Sequence, residues 1–129
     1  MPNVTIEIRR KYSPEEEERI ISAVHRALVE GLKTPEWDRT VRLVTHEPHR
    51  FAVPPGRDDR YTLIDIDLFP GRSLDAKRAL YQALVRNLKE LGIPPDHTKV
   101  LLRESRAENW GIRGGVPACD VELGFKVDV

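Results

Sequence analysis

The amino-acid sequence predicts an α+β fold, in which tandem strand-helix-strand units form a four-stranded mixed sheet with two helices on one face. Three observations predict it. Two short segments, 3–9 and 61–69, alternate apolar and polar residues with period two, and two further short segments read as strands. Two longer segments carry an apolar stripe at helical spacing behind a capping serine. Several residue patterns in the first half recur in the second, at an offset between 56 and 58 residues.

The elements follow in order. Residues 3–9, NVTIEIR, alternate and put Val4, Ile6 and Ile8 on one strand face. Ser13-Pro14-Glu15-Glu16 is a helix start: Ser13 caps, Pro14 suits the first helical position and Glu16 completes a capping box. The acidic run from Glu15 to Glu18 lies where the helix dipole favours negative charge. Ile20, Ile21, Val24, Leu28 and Leu32 form the stripe, and Pro35 is expected to end the helix. Thr40 to His46 is a second strand. Residues 47–60 hold three prolines and a glycine and form a connecting loop. Tyr61 to Phe69 alternates again, with Ile64, Ile66 and Leu68 opposite Asp65 and Asp67. Ser73 caps a second helix along which Leu80, Leu84, Leu88 and Leu91 align, and Gly92 is expected to cap its end. Lys99 to Glu104 is a fourth strand, and Val121 to Val127 is expected to form a short last one.

The repeat extends to residue identity. Ala27-Leu28-Val29-x-x-Leu32-Lys33 recurs as Ala83-Leu84-Val85-x-x-Leu88-Lys89, Asp38-x-Thr40 as Asp96-x-Thr98, and Ile6-x-Ile8 as Ile64-x-Ile66. Residues 1–46 and 61–105 are therefore expected to be duplicated units of one domain spanning 1–129, with loop 47–60 between them and a tail from 106 to 129. Two helices cover one sheet face only. The other carries Thr5, Glu7, Asp65 and Asp67, which suits partial solvent access or a subunit interface.

Composition narrows the function. The 129 residues include 21 Lys plus Arg and 21 Asp plus Glu, a formal net charge of zero. Such a chain has no electrostatic footprint for nucleic acid or an anionic membrane. No apolar run reaches the roughly 20 residues of a membrane helix, and the first residues lack the plan of a signal peptide. The single cysteine, Cys119, forms no internal disulfide and is expected to be a packed small hydrophobe. A cytoplasmic setting, no metal and no cofactor are expected. The histidines lack metal-site spacing, and no P-loop, dinucleotide fingerprint or serine nucleophile elbow occurs.

A few residues carry possible chemistry. Pro2 follows the initiator methionine, which is generally removed before a small residue. Freed, Pro2 is a secondary amine, and α-amines titrate at about 7.7–8.0, suited to general base work. With Met1 retained its nitrogen is an amide, and Pro2 is only a residue before a strand. Phe69-Pro70-Gly71-Arg72-Ser73 lies between strand and helix, where free N–H groups attract anions and Arg72 adds a fork for a carboxylate. The same segment is also an ordinary strand-to-helix turn. Asn109-Trp110-Gly111-Ile112-Arg113-Gly114-Gly115 either walls a pocket with Trp110 and supplies charge from Arg113, or forms a tight hairpin with Trp110 closing the core edge. Asp38 orders a turn, as its counterpart Asp96 does, and His25 lies half-buried beside the apolar stripe.

Together, Pro2, the duplication, Gly71-Arg72-Ser73 and Asn109-Trp110-Gly111 resemble the tautomerase superfamily over essentially the whole chain. Pro70-Gly71-Arg72-Ser73, Lys77-x-x-Leu80-Tyr81 and Glu104 through Gly115 resemble its longer-subunit branch, which includes malonate semialdehyde decarboxylase and its relatives. The resemblance implies homotrimers with sheets facing the centre. It implies Pro2 as general base and acid for keto-enol proton transfer on a small carboxylate-bearing substrate, a 2-oxo acid or dienol. It implies Arg72 as the carboxylate-binding and enolate-stabilising cation, Asp38 as an assisting carboxylate, Trp110 in the pocket lining, and His25 at a position used by the related cis-3-chloroacrylic acid dehalogenase. Phe69 stands where the specialised members carry a first arginine, which favours tautomerisation over decarboxylation or dehalogenation. Arg39, Arg57 and Arg113 are candidates for a second cation. Decarboxylation remains the alternative, and a non-catalytic oligomeric binding protein is the reading if Met1 is retained.

Overall fold

A computed structural model describes residues 2–129; retention of Met1 lies outside the described residues. The elements run β1 (Asn3–Ile8), α1 (Pro14–Leu32), β2 (Val41–Thr45), β3 (Thr62–Leu68), α2 (Leu74–Lys89), β4 (Thr98–Glu104), β5 (Gly111–Ile112) and β6 (Val116–Pro117). The main sheet has the order β2-β1-β3-β4. The strands within each unit, β1 with β2 and β3 with β4, are parallel, as a helical crossover requires. The central pair, β1 with β3, is antiparallel. This is the four-stranded mixed sheet expected from the alternation.

The register explains why the repeat offset holds. Ile6 faces Ile64 across the central ladder, and Thr5–Asp65 is mirrored by Glu7–Leu63. A rotation about the midpoint of Ile6 and Ile64 therefore carries one unit onto the other. The outer ladders obey it to within a residue, with Val4 against Val41 and Thr62 against Thr98.

Both helices lie on one face and bury the same kind of stripe. Val4, Ile6, Ile8, Ile64, Ile66 and Leu68 from the sheet meet Ile20, Val24, Leu28 and Leu32 of α1 and Leu80, Leu84 and Leu88 of α2. Each fully buried Leu or Ile contributes roughly 1.5–3 kcal/mol of apolar burial. Ser13 makes the full capping box with Glu16, and Ser73 accepts from the Ala76 N–H at 3.1 Å. The helices approach most closely at Gly31, where a built Cβ would lie 2.6 Å from the Leu80 Cα. We expect Gly31→Ala to lower unfolding stability by about 2 kcal/mol, since overpacking against backbone outweighs the roughly 1 kcal/mol gained in helix propensity. Urea denaturation measures it, and a stabilised variant would contradict the close crossing.

Several expectations need correction. Helix α1 stops at Leu32, three residues before Pro35. Lys33 turns left-handed with φ 58°, and its N–H returns to the Val29 carbonyl. Helix α2 stops at Lys89 rather than against Gly92. Its last turn tightens, with the Leu91 N–H bonded to Leu88 O and the Gly92 N–H to Lys89 O, both at 3.0 Å. Gly92, at φ 90°, then supplies the left-handed residue after that turn. Val121 to Val127 forms no strand. Its alternation is real, since Val121, Leu123, Phe125 and Val127 are half-buried while Glu122, Gly124 and Lys126 are exposed. Period-two burial needs only a surface to lie on, whereas a strand needs a neighbouring backbone.

Candidate active site

Residues far apart in sequence meet at one end of the sheet. Strand β1 begins there, β2 begins there, and β3 ends there. Extending both ladders of β1 toward its start places Pro2 between Arg39 and Leu68, and Pro2 is buried. The Val4 N–H bonds Thr40 O at 3.0 Å and fixes the β2 side. Asp38 is the residue before Arg39 and is 6% exposed. Its N–H closes a turn onto Pro35 O at 3.1 Å.

Arg72 comes from the other side, four residues past the end of β3. It is 5% exposed. Its Nη1 donates only a long bond, 3.5 Å, to Phe69 O, and its Nε and Nη2 are buried with no hydrogen-bond partner. Burial pulls the guanidinium pKa down, while the charges of Asp38 and Glu104 push it back up. An arginine remains protonated throughout. A buried cation with two unused donors thus feels the Asp38 charge at the end of the sheet where β1 begins and β3 ends. Glu104 is a site residue the sequence reading missed as such. It sits opposite Leu68 in the β3–β4 ladder and pairs with Lys77 at 3.3 Å. The signal was the register of two strands, which single-residue patterns do not show.

Phe69 is 3% exposed, and its ring meets Trp110 edge-on with centroids 5.0 Å apart. The Trp110 Nε1–H donates to Ser105 O at 3.1 Å, which sets the indole against Phe69. Both readings of the 109–115 segment hold in part: β5 and β6 make the tight hairpin, and Trp110 backs the aromatic wall. Three consecutive left-handed residues, Arg113, Gly114 and Gly115, form its tip. An open groove of about 320 Å³ lies beside Phe69 and Pro70 and is also lined by Ala107, Cys119, Leu123 and Val127.

Four candidates take other places. Arg113 is exposed and donates to Glu122 O at 3.2 Å, so its charge serves the tail rather than the buried cluster. Arg57 bonds Asp96 O at 2.7 Å, at the opposite end of the sheet. Cys119 is exposed, not packed, because the tail carries it onto the groove rim. His25 is 1% exposed rather than half-buried. Its Nε2 lies 2.9 Å from Glu36 O; a carbonyl only accepts, so that nitrogen carries the hydrogen. His25 thereby anchors the turn that presents Asp38. Among the described residues no group of three or more His, Cys, Asp or Glu could hold a metal ion, and no helix is long and apolar enough to cross a membrane.

The chain is similar to several known proteins. Residues 38–113 match the family model described as tautomerase enzyme. A probable tautomerase of Bacillus subtilis (strain 168), YusQ, is 25% identical over 121 residues, covering 89% of this chain and 95% of that protein. The crystal structure of FG41 malonate semialdehyde decarboxylase inhibited by 3-bromopropiolate superposes with a TM-score of 0.80 at 25% identity, over 89% of this chain and 92% of that one. A fused 4-OT solved as an asymmetric trimer shares the fold, with a TM-score of 0.82 at 19% identity, over 95% and 99% of the two chains. With a matching family model over more than half its length and a like fold, this chain belongs to the tautomerase superfamily.

Proposed function

We propose that the chain is a tautomerase that moves a proton between carbon and oxygen of a small 2-oxo acid or dienol. The observation that carries this is Arg72: a buried guanidinium whose Nε and Nη2 have no partner. Leaving such donors unmet is costly, and a carboxylate satisfies two at once in a forked geometry. Once Met1 has been removed, the Pro2 nitrogen is a secondary amine, and α-amines titrate at about 7.7–8.0, so near neutral pH it supplies the free base that abstracts a proton α to a carbonyl. The protonated amine then returns the proton to the other end of the enol. Arg72 holds the substrate carboxylate and offsets charge developing on the enolate oxygen. Asp38 balances the Arg72 charge in the resting site.

The uncovered sheet face fits a homotrimer. Arg42 bonds Asn3 and Thr5, Arg103 bonds Asp67, and His46 meets Glu7 across it, while Val44 and Leu101 remain exposed. We propose one domain built of two units, assembled through that face. Decarboxylation is the second reading, favoured by the buried Asp38 beside Arg72. It predicts aldehyde and carbon dioxide from malonate semialdehyde, lost in Asp38→Asn.

The deciding test pairs two measurements on purified protein: intact mass and the ketonisation rate of an enol such as phenylenolpyruvate. Loss of Met1 together with accelerated ketonisation is expected. A mass that includes Met1 leaves Pro2 as an amide and overturns the mechanism.

A further inference from the structure

The tail from Val121 to Val129 packs on the chain neighbours of Asp38 and Arg72. Its Phe125 ring meets Trp37, the neighbour of Asp38, with centroids 6.3 Å apart. Val127 lies over Gly71, the neighbour of Arg72: a Cβ built at Gly71 would be 3.4 Å from the Val127 carbonyl oxygen. Ser73, on the other side of Arg72, donates from Oγ to Val129 O at 2.8 Å. Arg113 holds the Glu122 carbonyl. The tail therefore spans from the turn bearing Asp38 to the start of α2 and packs on the residues on either side of Arg72.

How the tail is held matters as much as where it lies. Among the described residues, no backbone–backbone hydrogen bond involves residues 122–129. Side-chain contacts and two side-chain-to-backbone bonds secure it. Segments held in this way open at low free-energy cost. The tail also brings the Val127 and Val129 carbonyl oxygens to the N-terminal end of α2, where the helix favours negative charge. A substrate carboxylate directed to Arg72 seeks the same place.

We infer that residues 121–129 form a gate that closes over Arg72 in the free protein and competes with substrate for that end of α2. The inference rests on the proposed role of Arg72 in carboxylate binding, but the gate itself is testable without turnover. Substrate binds only the open form, so the apparent affinity falls by the closed fraction. The chemistry behind the gate is untouched, so loosening it changes KM and leaves kcat alone.

Phe125→Ala and Trp37→Ala remove the two halves of one contact. Trp37 is 63% exposed, so its variant tests the gate without a buried replacement. An aromatic pair of this kind is worth a population shift of about fivefold. Each variant is expected to lower KM for a small 2-oxo acid about fivefold with kcat unchanged. In parallel, phenylglyoxal modification of Arg72, followed by peptide mass spectrometry, should speed up by a similar factor. Hydrogen exchange should place the amides of 122–129 among the fastest in the chain. Faster labelling of Arg72 without ketonisation in any protein supports the gate and rejects the tautomerase reading. Unchanged labelling, a raised KM, or slow exchange of the 122–129 amides in the wild type overturns the gate.

Discussion

Arg72→Met is expected to lower kcat/KM for enol ketonisation by about 10²–10³-fold, the scale of losing a donor aimed at developing negative charge. The same change should raise the melting temperature. In the free protein Arg72 sits 5% exposed, with burial opposing its charge and two nitrogens unpaired. Replacing an imperfectly paired buried charge by an apolar side chain of similar length is neutral to stabilising. A residue that destabilises the fold while serving the substrate produces that opposition of sign. Arg72→Lys keeps the charge but loses the planar fork, so it should recover only part of the rate. Steady-state kinetics and thermal denaturation of the same preparations give both numbers. A Met variant as active as wild type would remove Arg72 from the mechanism, and one both inactive and much less stable would recast it as structural.

Pro2→Ala is expected to cost about 10²-fold or more in kcat, within the range that general acid–base groups contribute. The variant keeps a terminal amine once Met1 is removed, but a primary and freely rotating one. The pyrrolidine ring fixes the direction of the nitrogen at the start of β1, between Arg39 and Leu68. The sign of the pH dependence follows from the base role. The amine acts only when unprotonated, so kcat/KM should rise with pH up to its pKa. For an unperturbed α-amine that rise centres on about 7.7–8.0. The pH–rate profiles of both proteins check this, with intact mass confirming the processed N-terminus. Equal rates in the two would exclude any need for the secondary, ring-held amine.

Much of the fold was legible because the forces that write it are local. Alternation in β1 and β3, the stripes of α1 and α2, and the caps at Ser13 and Ser73 depend on residues one to four positions apart. The duplicated Ile6 and Ile64 turn out to face each other in the central ladder, a pairing the offset alone did not specify. The readings that failed share a cause. Gly92 and Pro35 are sound stop signals, but backbone hydrogen bonds closed each helix a few residues earlier. The 121–127 segment has a strand's pattern without a strand's partner, and pattern alone does not supply one.

The site divides in the same way. Pro2, Asp38 and Arg72 stood out by residue type and by neighbouring motif, and the structure draws all three to one end of the sheet. Arg113 and His25 were also candidates, and the structure draws one to the tail and one to the turn behind Asp38. Sequence by itself determined the α+β plan, the two-unit repeat and the residue types available for proton transfer, because these rest on short-range periodicity. Only the tertiary structure decided that Arg72 is buried with unused donors, that Glu104 and Asp38 flank its charge, and that a tail with no strand to pair with lies across them. Those facts depend on which strand ends share an edge of the sheet, and that is set by packing between residues far apart in the chain.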